Sequence, residues 1–94
     1  MRLLMLIVDE TRKEELEVFL QRTGVGGYTE IPGALGFGTT GQRLGSGAYP
    51  RTSAVIFTFV AEDVVDSLVK QVRDYCADCG EHLRAVVWSA EAVL

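Results

Sequence analysis

Between Ile31 and Ala61 the chain has no aspartate or glutamate, although 13 acidic residues are spread over its 94 positions. The same stretch holds Arg43 and Arg51, so a protein of net charge −4 contains a segment of local charge +2. The overall acidity excludes a general nucleic-acid binder, which needs a basic surface to neutralise phosphates. The carboxylate-free segment points instead to an anionic ligand or an acidic partner. Long apolar runs are also missing. Leu3 to Val8 is followed at once by Asp9 and Glu10, without the flanks of a signal peptide. Nothing approaches the roughly 20 apolar residues of a membrane span, and a cytoplasmic protein is expected. Histidine occurs once, His82, and cysteine twice, Cys76 and Cys79. No Ser-His-Asp or Cys-His pair with an orienting third group can be assembled from these, so an enzyme is not expected. Glu14, Glu15 and Glu17 read as a solvated helix face.

The length suits one domain, residues 1–94. Leu3 to Val8 is too short for a helix and reads as a strand buried on both faces. Thr11-Arg12-Lys13-Glu14 has capping-box spacing, Leu16, Phe19 and Leu20 follow at helical intervals, and Gly24 is the stop. Tyr28 to Ile31 is a short strand ended by Pro32-Gly33, and Ala54 to Val60 is another apolar strand. Glu62 and Asp63 suit the electropositive start of a second helix, whose apolar face is Val65, Leu68, Val69, Val72 and Cys76. Gly80 reads as its C-terminal cap and Leu83 to Trp88 as the last strand. The order β-α-β-β-α-β implies an α+β, ferredoxin-like fold: an antiparallel four-stranded sheet with two helices on one face. Both faces of the sheet are apolar, yet two helices cover only one. Another copy of the chain is the simplest cover for the second.

A loop at about 33–52 separates the middle strands, and Gly33 to Pro50 holds six of the ten glycines. Within it Gly36-Phe37-Gly38-Thr39-Thr40-Gly41 spells G-x-G-x-x-G. A dinucleotide site needs those glycines between a strand and a helix, and Gln42-Arg43-Leu44-Gly45-Ser46-Gly47 has no helical period. The alternatives are a mobile surface loop or a binding arm. A connection this long is more often a binding arm, and successive glycine amides can form an anion nest.

The stretch GVGGYTEIPGALGFG, Gly24 to Gly38, resembles the PII signal-transduction proteins. Gly24, Gly27 and Thr29 fit their Gly-x-x-Gly-x-Thr pattern, and Gly36-Phe37-Gly38 opens a T-loop, here a short one. The resemblance implies a homotrimer with adenine nucleotides in clefts between subunits and a loop that docks on a target protein, a membrane transporter or an enzyme. It places Gly36, Phe37, Gly38, Thr39 and Thr40 along the phosphates and Ile7 and Thr29 toward the nucleoside, with Gly27 and Arg84 as further ligand-binding residues. Gln42, Arg43, Leu44, Tyr49 and Arg51 then face the partner. The family's basic, glycine-rich segment after the second helix is replaced here by CADCGEHLRAVVW, whose one cation is Arg84. That loss implies a divergent, PII-like member whose nucleotide binding is weak, restricted to smaller nucleotides, or absent.

Cys76-x-x-Cys79-x-x-His82 offers a second function, a zinc or copper site in a trimer of CutA-like architecture. Packing of Cys76 in the core, with Cys79 and His82 as chance neighbours, is the structural alternative. An amino-acid-binding ACT-type module shares the element order but lacks the long loop.

Overall fold

The computed structural model describes residues 1–38, 41–77 and 83–94. The chain runs β1 (Arg2–Asp9), α1 (Lys13–Arg22), β2 (Thr29–Ala34), β3 (Gly36–Gly38), β4 (Gly41–Arg43), β5 (Ser53–Val60), α2 (Val65–Cys76) and β6 (Leu83–Ser89). The four long strands form an antiparallel sheet in the order β2-β5-β1-β6, the expected ferredoxin-like arrangement. The fully apolar run of β1 suits a central position, flanked by β5 and β6.

Alternation along the strands decides what the helices cover. Leu4, Leu6 and Val8 of β1 are buried with Ala54, Ile56 and Val60 of β5. Leu16 and Leu20 of α1 and Val65, Leu68 and Val72 of α2 close over them. Thr58 shares this face, and its hydroxyl donates to the Gly27 carbonyl at 2.6 Å. A buried hydroxyl needs such a partner. Phe19 and Tyr75 stack with ring centres 4.5 Å apart and join the two helices. Cys76 packs at the core's margin, as its place on the apolar helix face predicts.

Both helix starts differ from expectation. Thr11 and Glu14 form no capping box, because Asp9 at the end of β1 takes the capping role. Its Oδ1 accepts from the Thr11 amide at 3.0 Å and the Thr11 hydroxyl at 2.7 Å. A 3-10 turn, Glu10–Arg12, then leads into α1. The second helix begins at Val65 rather than at Glu62-Asp63, after a turn closed by the Val64 amide on the Ala61 carbonyl at 3.1 Å. Glu62 pairs instead with Arg2 at 3.0 Å. Gly24, with φ 83°, follows the end of α1 as expected, and Gly80 lies outside the described residues.

β2 also runs past its expected stop. Ile31 stands opposite Val55 and Ala34 opposite Ser53, so the register shifts across Pro32-Gly33. Gly33 has φ 68°, and its amide donates to the Glu10 carboxylate. The sheet face away from the helices carries Leu3, Met5, Ile7, Val55, Phe57, Phe59, Val86 and Trp88. Phe59 is 64% exposed and Trp88 39%. No helix among the described residues is long and apolar enough to cross a membrane.

Candidate functional site

Two short strands form inside the stretch read as a loop. β3 and β4 pair antiparallel, with Gly36 opposite Arg43, Phe37 opposite Gln42 and Gly38 opposite Gly41. Gly41 has φ 102°, a backbone that side chains other than hydrogen rarely accept. Further on, the Ser46 amide donates to the Tyr49 carbonyl at 3.0 Å, and the Ser46 hydroxyl accepts from the Tyr49 amide at 3.1 Å.

The β3–β4 hairpin and the open face of the sheet enclose a cleft of about 510 Å³. Its floor is the row Val55, Ile7 and Arg84, side by side because Ile7 pairs with both neighbours. Its rim is Gly36, Phe37, Gly38 and Gly41. A Cβ at Gly36 or Gly38 would meet no atom within 4 Å, and neither residue has a left-handed backbone. The fold does not need glycine at these two positions. What glycine preserves there is open space beside the hairpin backbone, which lets a ligand approach it closely.

Arg43 departs from its place on an exposed, partner-facing loop. It is only 8% exposed, and its Nη2 lies 3.2 Å from Oδ2 of the buried Asp9. The reason is local: β4 turns Arg43 inward across the cleft wall, where it meets the buried carboxylate of Asp9, the cap of the following turn. The two charges touch without a hydrogen bond, since Asp9 Oδ2 and Arg43 Nη1 are both buried without a hydrogen-bond partner. Burial pushes the Asp9 carboxyl up. The Thr11 hydroxyl and amide and the charges of Arg43 and Arg51 outweigh it and hold Asp9 below the ordinary carboxylate range. With Arg43 neutralised in this way, Arg84 is the exposed cation on the cleft's lining.

Of the residues expected around a ligand, the structure brings Ile7, Gly36, Phe37, Gly38 and Arg84 together in this cleft. Gly27 and Thr29 lie off it, Gly27 holding Thr58 and Thr29 pairing with Phe57. Thr39 and Thr40 lie outside the described residues. Gln42, Leu44, Tyr49 and Arg51 are exposed on the loop, alongside Leu35 and an 87% exposed Phe37. Asp9, Val55 and Arg43 were not foreseen as cleft residues. The signal for Asp9 was its place as the first carboxylate after the apolar strand. Among the described residues no group of three His, Cys, Asp or Glu side chains is placed to hold a metal ion, and Cys79 and His82 lie outside them.

A second charged cluster joins α1 to β2. Lys13 Nζ lies 3.6 Å from Glu10 and 3.7 Å from Glu30, and their charges raise its pKa. Glu17, read as simply solvated, meets Glu30. A hydrogen bond to Glu30, desolvation and the Glu30 charge push its carboxyl above the usual range.

An antiparallel ferredoxin-like sheet with a glycine hairpin raised over its open face places the chain among the small PII-like regulatory proteins. The profile of the nitrogen regulatory protein P-II family matches residues 1–88, and the chain belongs to that family. No curated protein sequence matches it. Among solved structures it is similar to CPII, a nitrogen regulatory PII-like protein from Thiomonas intermedia bound to ADP and bicarbonate. The TM-score is 0.70 at 23% identity, over 95% of this chain and 86% of that one. CPII bound to ADP, AMP and acetate gives 0.64 at 20% identity, over 95% and 88%. A PII-like signaling protein from Thermus thermophilus gives 0.68 at 17% identity, over 93% and 83%. These likenesses concern the fold.

Proposed function

We propose that the chain is a cytoplasmic PII-like regulator, a homotrimer that binds a small anionic effector under its glycine hairpin and signals to a partner protein through the loop. The observation that carries this is the cleft itself: about 510 Å³, a size typical of small-molecule sites, with Gly36 and Gly38, which the fold does not require, on its rim and Arg84 facing them. An adenine nucleotide of few phosphates fits this wall best. Gly36 and Gly38 would let a phosphate approach the hairpin backbone closely, and Arg84 would supply the counter-charge. Asp9 cancels the charge of Arg43, so a triphosphate would find little further compensation. CPII, which shares the fold, was solved with ADP, AMP and bicarbonate, which supports a nucleotide as effector class. Thr29, off the cleft but level with Phe57 on the open face, suits the nucleoside end of a neighbouring subunit's site. Exposed Gln42, Leu44, Tyr49 and Arg51 suit the partner contact.

Titration calorimetry and thermal shift with AMP, ADP, ATP and bicarbonate test this reading. Binding of AMP or ADP, with ATP gaining less than about tenfold over ADP, is expected; bound ligand raises Tm by mass action. Absence of heat and of any Tm shift with all four would leave the cleft without an effector role.

A further inference from the structure

The β3–β4 hairpin has only three paired positions, and a two-stranded ribbon of this kind is marginal in water on its own. Something must hold it against the sheet for the cleft to have a wall. Among the described residues, one ion pair joins the hairpin to the four-stranded sheet: Arg43 to Asp9. We propose that Asp9 and Arg43 are positioning residues that dock the glycine hairpin, and so decide what fraction of the unliganded protein has a formed cleft.

The two partners are engaged unequally. Asp9 is fixed through Oδ1 by both donors of Thr11, whether or not Arg43 is present. Arg43 is the movable partner, held by charge alone. Its Nη1 and the Asp9 Oδ2 are sealed from solvent with no hydrogen bond. Each would regain hydration if the hairpin lifted. Desolvation therefore opposes the pair's attraction, and the docked state lies close in free energy to the open one. A wall held this way suits control, since an effector that contacts Gly36 and Gly38 binds only the docked state and shifts the population toward it.

Amide hydrogen exchange of the ligand-free protein, resolved over Gly36–Gly38 and Gly41–Arg43, tests the docking. Arg43→Met removes the charge while keeping an apolar stem. Asp9→Asn keeps an oxygen for Thr11 and removes the other charge, and Arg43→Lys restores a cation. Arg43→Met and Asp9→Asn are each expected to speed hairpin exchange at least about tenfold, with Leu4, Leu6 and Ile56 in the central strands unchanged. Arg43→Lys should recover part of the protection. Hairpin exchange unchanged in either charge-removing variant overturns the proposal. So does an equal acceleration in the central strands, which would make the pair a general stabiliser.

The link to affinity rests on the effector reading above. Where AMP or ADP binds the wild type, its affinity should fall in Arg43→Met by the same factor as the docked population, with assembly unchanged. An unchanged affinity beside a loosened hairpin overturns that link. A wild type that binds neither nucleotide sinks the effector reading alone, because the exchange result needs no ligand.

Discussion

Replacing Phe59 by alanine tests whether the open sheet face is an assembly surface. Phe59 keeps 64% of its surface in water in the single subunit. An aromatic side chain can bury about 150–250 Å², which leaves about 100–160 Å² for a neighbour to cover. At about 25 cal/mol per Å² that is about 2.5–4 kcal/mol per subunit, of which alanine forfeits about 2–3. A trimer contains the contact three times, so the loss is about 6–9 kcal/mol, or about four to six powers of ten in the association constant. The half-assembly concentration of a trimer follows the square root of that constant and rises about a hundred- to a thousandfold. Sedimentation velocity from nanomolar to high-micromolar protein reads the shift directly. Wild type should sediment as a trimer throughout the micromolar range, and Phe59→Ala should dissociate within it. Far-ultraviolet circular dichroism should stay the same, because the ring is mostly outside the subunit's own core. Equal sedimentation of the two proteins refutes a place for this ring at the interface. A monomeric wild type refutes the interface altogether.

Gly38→Val should abolish nucleotide binding by calorimetry while leaving Tm within about 1 °C, since the added side chain clashes with nothing within 4 Å but stands on the cleft's rim, in the way of a ligand; retained affinity would move the site elsewhere. Glu17→Gln should raise Tm at pH 7. The folded-state pKa of Glu17 is raised, so its favourable contribution is present below the ordinary 4.5 and is lost as pH rises through the folded value. The gain from Glu17→Gln should therefore vanish in unfolding curves taken below that pH, and a gain equal at every pH would rule out the Glu17–Glu30 contact as its cause. Leu20→Ala empties a fully buried position and should cost about 2–5 kcal/mol in denaturant unfolding. Thr58→Val keeps the shape but leaves the Gly27 carbonyl without its hydroxyl donor, for a loss of about 1–3 kcal/mol by the same measurement.

The strands were legible because their side chains repeat with a period of two and their apolar content left little choice of partner. β1 extends one residue beyond the expected bounds at each end, β5 starts one residue earlier and β6 ends one residue later. What was hidden depends on contacts between distant positions. Thr11 and Glu14 have the right spacing for a capping box, yet Asp9 is closer to the same amide once β1 is in place. Pro32-Gly33 looked like a stop, because local preference cannot show that Glu10 will receive the Gly33 amide and let the strand continue. Arg43 lies in a glycine-rich, polar stretch that signals exposure. Only the folded hairpin brings it to Asp9, 34 positions earlier in the chain. Ile7 and Arg84 could be joined in advance only through the family resemblance, since their adjacency is a fact of register between β1 and β6.

The register shift in β2 also makes the two margins of the sheet unequal. β2 offers an uninterrupted ladder only from Thr29 to Ile31 before Pro32, which has no amide hydrogen, breaks its outer edge. β6 presents seven residues, Leu83 to Ser89, with nothing comparable to interrupt them. Templated growth of a sheet needs a continuous row of unpaired amides and carbonyls. At one margin this chain withholds that row; at the other it offers it in full. Of the two margins, β6 is therefore the one better suited to receive an added strand.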